Sequence, residues 1–338
     1  SQQPEDEFTK VNANLLHECA TLAKAAGVRL FVNISSIQAL DSRNLSPYAQ
    51  SKRIGLKKLG TVKGLCISSF YLPLVYGDSW SGKLRFLNYV PKAFANVVFP
   101  FFASLKPTLH IEKLLRGIID LIEEPTTTEQ ILSDGQDNNL VFQMVKRLGD
   151  LTFALVAMTC LWWLFLILWI VIRIESKGPG IFIQERVGEK GKIFKCYKFR
   201  TMKVGTIQAG THQVSKEMVT KVGHFLRKTK LDELPQVLNI LRNEVSLVGP
   251  RPCLPTQSIL VSLRQKQGVL AIKPGITGWA QIHGVDMSDP EILVQWDAEY
   301  LALRSIIKDV SIMISTGLGR GQGDRVHSLN GSVHRKAA

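Results

Sequence analysis

Hydrophobic and polar positions divide the chain into three stretches of different rhythm. In the first, residues 30–35 and 65–71 are short apolar runs with the pattern of buried strands, while residues 11–26 and 48–59 carry apolar residues at helical spacing. The second is residues 151–172, which contain no charged side chain. As a helix rising about 1.5 Å per residue, that run reaches roughly 30 Å, the thickness of a bilayer's hydrocarbon core. The third returns to mixed patterning, with helix-spaced apolar residues over 234–241 and 301–314. Between the first two, residues 126–139 are polar, with Thr126, Thr127 and Thr128 and the pair Asp134–Gly135, and read as a linker. From Gly317 onward, Gly319, Gly321 and Gly323 mark a tail expected to be flexible, and no internal repeat is present.

A buried helix of a water-soluble protein could also carry residues 151–172. Trp162, Trp163 and Trp169 among so many Leu and Ile would then need a very large core, so a membrane segment is the expectation. Composition agrees with a folded chain: 338 residues, enough for two domains, with 45% hydrophobic and 21% charged residues. The formal net charge of +14 points to an anionic partner: nucleic acid, a membrane surface or a polyanionic substrate. Cys19, Cys66, Cys160, Cys196 and Cys253 form no CxxC pair, which argues against a disulfide framework or zinc site and fits a reducing compartment. Residues 1–10 are polar and acidic, unlike a signal peptide.

The chemistry gathers after the apolar run. Asp232 and Glu233 follow Arg227, Lys228 and Lys230, and Pro235 sits where a helix would start. Acidic residues in a first turn also cap helices, so the pair alone is weak. Its surroundings add weight. Lys198 and Arg200 lie in the run Tyr197 to Met202, Arg251 sits between Pro250 and Pro252, and Lys273 opens a loop with Pro274, Gly275, Gly278 and Trp279. Cations on stiff turns around paired carboxylates suit phosphoryl transfer: Arg and Lys neutralise a diphosphate, and a carboxylate can attack phosphorus. The cations adjoin Gly/Pro turns rather than an exposed helix face interleaved with aromatics, which excludes a nucleic-acid reader. A non-catalytic membrane scaffold would have no need to gather charge around one point.

Taken in order, these motifs resemble the bacterial sugar transferase family, the monotopic phosphoglycosyl transferases acting on undecaprenyl phosphate. The resemblance covers residues 145–316. It runs from Lys146, Arg147 and Asp150 through Gly178–Pro179, Gln184 to Gly188, Lys198 to Met202, Asp232 to Gln236, Gly249 to Pro252 and Pro274 to Gln281, ending on Trp296, Asp297, Tyr300, Ser305, Asp309 and Thr316. It implies an α/β catalytic domain carrying a phosphosugar from a UDP-sugar to undecaprenyl phosphate, with release of UMP. It implies Asp232 as nucleophile and Mg²⁺ ligand, with Glu233 in support. Lys198, Arg200, Arg227, Arg251 and Lys273 become candidates for phosphate binding, and Gln281 and Asp297 for the wall of the site. Membrane lipid is an expected partner, homo-oligomers are left open, and the catalytic domain belongs at the cytoplasmic face of a bacterial inner membrane.

Ahead of it, residues 5–137 resemble the second half of an extended short-chain dehydrogenase/reductase, a Rossmann-like fold of nucleotide-sugar epimerases and reductases. Carriers are the strand ending in Ser35–Ser36, the helix motif Tyr48 to Lys52, and Leu72 to Gly77. The resemblance implies Ser35, Tyr48 and Lys52 as the reductase set. A Gly-rich strand-to-helix turn for the dinucleotide does not precede them, so NAD(P) is not expected to bind this chain as given, and Phe31, Ile34 and Phe70 are expected to lack sheet partners. An alternative is a bifunctional fusion in which a complete reductase domain modifies the UDP-sugar before transfer.

The expected domains are a partial reductase-like segment (1–137), a linker and membrane helix (138–177), a catalytic domain (178–316) and a tail (317–338). Lys190, Lys192, Lys195, Lys198, Arg200 and Lys203 belong on the cytoplasmic side, as does a nucleotide-sugar enzyme. Two cytoplasmic flanks require a re-entrant helix. The family bends that helix at Ser-Pro. Here the stretch is Thr159, Cys160, Leu161, Trp162 and Trp163, with no proline, so either Thr159 and packing make the bend or the helix is straighter than usual.

Overall fold

In the computed structural model residues 4–25 are one continuous helical run. Helix α1 (Pro4–Thr9) passes through a wider π-type stretch (Lys10–Leu15) into α2 (Leu16–Ala25), so the helix expected from residue 11 starts earlier. The structure describes residues 4–41, 44–80, 82–206 and 218–321, and the chain forms two units, residues 1–140 and 141–338.

In the first unit the widened turn lies against α3 (Pro47–Leu59), which Ser46 caps by accepting the Ala49 N–H at 3.4 Å. Asn12 donates to Ser51 Oγ at 3.0 Å, and a Cβ at Gly55 would come within 2.1 Å of the Asn12 carbonyl. Strands β1 (Leu30–Ser36) and β2 (Cys66–Leu72) pair in parallel with Ser35 opposite Tyr71. A second parallel pair joins β3 (Leu74–Tyr76) to β4 (Thr108–His110). Helices α4 (Lys92–Leu105) and α5 (Ile111–Glu123) flank β4, and β5 (Glu129–Ile131) completes the order β1-β2-β5.

Two expectations are corrected here. Residues 126–139 are not a free linker. The Thr128 carbonyl accepts the Ser69 N–H, Thr126 accepts from the Ser68 hydroxyl, and the Asp134 carboxylate accepts the His110 N–H. Polar residues suit such an edge strand because its side chains meet water while its backbone is paired. Nor does Phe70 lack partners. It is 1% exposed, packed with Leu72, Leu109, Leu114 and Leu121, and Gly117 on α5 lets its ring approach. Ile34 on the open edge of β1 stays exposed.

The second unit is built along α6 (Leu140–Glu175), which is helical without a break through Thr159 to Trp163. Thr159 Oγ1 donates back to the Leu155 carbonyl at 2.9 Å, and Trp163 Nε1 donates to the Cys160 carbonyl, so these polar groups are satisfied inside the helix. Only 17% of its most apolar stretch is buried, unlike the core helix of a water-soluble protein. The buried residues form one seam: Ala154 and Ala157 pack on Val237 and Ile240, and Leu168 and Ile172 on Phe199 and Leu226.

Both ends of α6 are fastened to the same unit. At the start, Lys146 pairs with Asp309 at 2.5 Å, Arg147 donates to the Ile240 carbonyl, and Asp150 accepts the Leu247 N–H at 2.9 Å. At the end, Glu175 accepts the Val222 N–H at 3.0 Å, and Arg200 donates to the Ser176 carbonyl at 2.6 Å.

The rest of this unit is a set of short elements. The hairpin β6 (Ile181–Val187) and β7 (Ile193–Phe199) is antiparallel. Helix α7 (Lys221–Thr229) leads through a 3-10 turn (Leu231–Gln236) to α8 (Val237–Leu241). Strands β8 (Ser246–Val248) and β9 (Gly275–Thr277) pair in parallel around α9 (Ser258–Lys266). Helices α10 (Trp279–Ile282), α11 (Pro290–Leu303) and α12 (Ile306–Gly317) follow. The helices expected at 234–241 and 301–314 are thus shorter or split. Pro235 sits inside the 3-10 turn, and Ser305 caps a new helix by accepting the Lys308 N–H. Residues 322–338 of the expected tail lie outside the described residues.

The seam makes a test. Ala154 is fully buried and Val156 exposed on the same helix. Ala154→Leu should cost about 1–3 kcal/mol by overpacking, read as a lower Tm in detergent, while Val156→Leu leaves Tm unchanged.

Candidate active site

Lys230 sets the site's geometry. It adopts a left-handed conformation (φ 58°) just after α7, rare for a residue with a side chain. The reversal turns the chain into the 3-10 turn, where the Glu233 N–H bonds the Lys230 carbonyl at 3.2 Å. Asp232 and Glu233 thereby face the end of β7. Lys198 Nζ lies 2.7 Å from Glu233 Oε1, and Arg251 Nη2 lies 3.3 Å from the same oxygen.

Arg251 reaches that point because two loops approach with no room for side chains. A Cβ at Gly275 would meet the Gly249 nitrogen at 2.1 Å, and one at Gly278 the Gly249 carbonyl at 2.2 Å. The Gly249 N–H donates to the Thr277 carbonyl and the Gly275 N–H to the Pro250 carbonyl, each at 2.9 Å. Behind them Arg264 donates to the Arg251 carbonyl at 2.8 Å and to Asp297 Oδ2 at 2.7 Å. That pair is 3% exposed on both sides.

A small open pocket lies here, lined by Arg186, Lys198, Arg251, Glu233, Gln236 and Cys196, with Pro252, Gly275 and Ile276 completing the wall. Arg186 donates to the Pro252 carbonyl at 2.9 Å. Gln236 is almost fully buried, with its Oε1 lacking a hydrogen-bond partner among the described residues. Burial pushes the Cys196 thiol pKa up, against the pull of Lys198 and Arg186.

The two carboxylates differ. Glu233 holds two cations, whereas Asp232 accepts no hydrogen bond among the described residues. Burial pushes the Asp232 pKa up to about 6, and the Glu233 charge adds to this, while Lys198, Arg227 and Arg251 pull it back.

The other expected residues are placed differently. Arg227 donates through Nε to Thr201 Oγ1 at 3.0 Å and adds its charge beside Asp232. Arg200 turns away to the end of α6, Lys273 bonds Asn243 Oδ1 at 2.8 Å, and Gln281 donates to the Ile276 carbonyl at 3.3 Å. None of these three, nor Arg227, Asp232 or Asp297, is among the residues that line the pocket, and Asp232 lies beside it, next to Glu233. In the other unit Lys52 Nζ lies 5.8 Å from the centre of the Tyr48 ring, and no hydrogen bond joins Tyr48 to Ser35 among the described residues. Arg264 was missed from the sequence. Its signal was one charge within the apolar run Ile259, Leu260, Val261 and Leu263. Arg186 and Gln236 stood in quoted motifs without a role.

Residues 141–319 match the family model described as bacterial sugar transferase. The uncharacterized sugar transferase EpsL of Bacillus subtilis is 39% identical over 173 residues, covering 51% of this chain and 85% of that protein. The UDP-glucose:undecaprenyl-phosphate glucose-1-phosphate transferase of Xanthomonas campestris is 35% identical over 199 residues, 54% of this chain. The match spans 40% of that relative's length. Among solved structures, the enzyme WbmH of Bordetella bronchiseptica in complex with NAD+ overlaps 46% of this chain and 55% of its own, at 16% identity and a TM-score of 0.31, too low to fix a fold. Through its second unit, the chain belongs to the bacterial sugar transferase family.

Proposed function

We propose that this protein transfers a phosphosugar from a UDP-sugar to undecaprenyl phosphate, the opening step of bacterial glycan assembly. The observation that carries the reading is the unequal carboxylate pair. Glu233 is neutralised by Lys198 and Arg251, while Asp232 has no hydrogen bond among the described residues and lies within the field of three cations. The names of relatives support the substrate class, since the Xanthomonas protein and one from Aeromonas hydrophila are named for transfer to undecaprenyl phosphate.

In the first step an Asp232 carboxylate oxygen attacks the sugar-bearing phosphorus. The bond from that phosphorus to the bridging oxygen breaks, and the electron pair leaves on UMP. Lys198, Arg227 and Arg251 offset charge on the phosphate oxygens. In the second step an oxygen of undecaprenyl phosphate attacks the same phosphorus, the bond to Asp232 breaks, and the carboxylate is restored. The donor set fits Mg²⁺. No cluster of three or more metal-binding side chains stands among the described residues, and this ion commonly takes one or two carboxylates with water and substrate phosphates. Asp232 would hold it, and when bound it supplies positive charge at the diphosphate.

The fastening of both α6 ends to one polar unit supports a re-entrant or in-plane helix, with both flanks at the cytoplasmic face. A single crossing would drag that unit into hydrocarbon. The parallel β1-β2 pair and the closeness of Lys52 to Tyr48 are compatible with the second reading, a bifunctional fusion in which a complete reductase domain modifies the UDP-sugar before transfer.

Asp232→Asn should abolish UMP release, and wild type incubated with donor alone should yield a phosphosugar adduct by intact-protein mass spectrometry. Near-normal turnover of the variant would refute the covalent route.

A raised folded-state pKa means that the folded protein holds the Asp232 proton more tightly than the unfolded chain does. The penalty for ionising it is therefore absent below pH 4, grows with rising pH, and is complete above about pH 6. In chelator, Asp232→Asn should gain about 1–3 kcal/mol above pH 6 and nothing near pH 4, read from thermal melts across pH.

Cysteines introduced at Gln143 and Lys177, in a background without Cys19, Cys66 and Cys160, should both resist a membrane-impermeant thiol reagent in intact cells. Both should react once the membrane is opened. Protection of only one would mean a spanning helix.

A further inference from the structure

The first unit has no part in the proposed chemistry, yet it carries an apolar surface that its own core does not need. The 3-10 stretch Gly82–Tyr89 and α4 pack together through Leu84, Leu87 and Ala95. Opposite that contact, Phe86, Tyr89, Phe94, Val97 and Phe101 are exposed, Tyr89 and Val97 by more than three quarters of their surface. The Phe102 ring meets Phe86 at 5.5 Å and Phe101 at 5.6 Å, which joins the 3-10 stretch to α4 across this surface. Phe94, Val97 and Phe101 lie at i, i+3 and i+7, one face of the helix.

Within the segment that carries this face, charge has one sign. From Ser79 to Ile111 the sequence contains no Asp or Glu, while Lys83, Arg85, Lys92 and Lys106 fall within it. Lys92 and Lys106 bracket a run without charge, the arrangement by which lysines reach headgroups while apolar side chains enter the acyl boundary. Chain connectivity supplies the location. Asn139, the residue before α6, donates through its side chain to the Pro100 carbonyl at 2.9 Å, and Gln136 donates to the Ala103 carbonyl at 2.7 Å. The carboxyl half of α4 is therefore fastened within one residue of the start of the membrane helix.

We infer that the face formed by Phe86, Tyr89, Phe94, Val97 and Phe101 docks onto an anionic bilayer surface, as a second membrane contact besides α6. This rests on the membrane placement of α6 proposed above. The aromatics sit at the acyl boundary about 5–10 Å below the headgroups, and each nearby cation strengthens docking about fivefold. An acidic protein partner would satisfy the cations, but it gives no reason for the α4 face to begin where the membrane segment begins.

The test uses the full chain in vesicles of phosphatidylcholine and phosphatidylglycerol carrying doxyl groups on their acyl chains. One protein, Val97→Cys without Cys19, Cys66 and Cys160, carries a fluorophore on α4. A second keeps Cys160 as the labelled position on α6. The expected result is lipid quenching of both labels, with the α4 label protected from aqueous iodide. Replacing Arg85, Lys92 and Lys106 by Gln should weaken α4 quenching about fivefold per cation while leaving the Cys160 label unchanged. An α4 label quenched by iodide while Cys160 is quenched by lipid overturns the inference and leaves the α6 reading standing. An α4 label shielded from both quenchers also overturns it, since protein then covers the face. Failure of lipid to quench Cys160 overturns the membrane placement itself, and this inference with it.

Discussion

The fastening of α6 at both ends to one polar unit is the constraint on which the remaining features depend. An apolar helix of this length would ordinarily separate its flanks by a bilayer. Here Lys146 and Asp150 tie its beginning, and Glu175 and Ser176 its end, to elements of the same unit. Those elements include the strands, turns and loops that carry Lys198, Asp232 and Arg251. The candidate site is thus held in a fixed place relative to both ends of α6.

Within that frame, two adjacent carboxylates are separated in character by their surroundings. Glu233 meets two cations at hydrogen-bonding distance, which stabilises its charge but ties it down. Asp232 lies one residue away, in the same field yet without a hydrogen bond among the described residues, and bears the cost of burial. A group so placed is destabilising to the fold and available to chemistry. The Arg264–Asp297 pair acts at one remove. It holds the Arg251 main chain in place through the Arg251 carbonyl.

The first unit shows how an apolar helix can serve two sides. The inner face of α4 closes a small core, and its carbonyls at Pro100 and Ala103 accept from Asn139 and Gln136. The outer face carries no acidic residue of its own segment, and Phe94, Val97 and Phe101 on it are exposed. That attachment lies just before the start of α6 in the chain.

Much of this was determined by the sequence alone. The uncharged run at 151–172, the strands at 30–35 and 65–71, and the Asp232–Glu233 pair amid Lys and Arg follow from local pattern, because periodicity and charge clustering are written in neighbouring residues. Tertiary structure decided what depends on distant partners. Within residues 126–139, Glu129–Ile131 became an edge strand because β2 offered backbone hydrogen bonds. Residues 301–314 broke at Arg304 and Ser305, where a hydroxyl cap outweighed continued helical spacing. Arg200 left the site for the end of α6, while Arg186 and Gln236 entered it from positions 46 and 4 residues away from Asp232 in sequence. A sequence shows which residues can carry charge, but packing across long chain separations selects which of them share one pocket, and burial there sets how each one reacts.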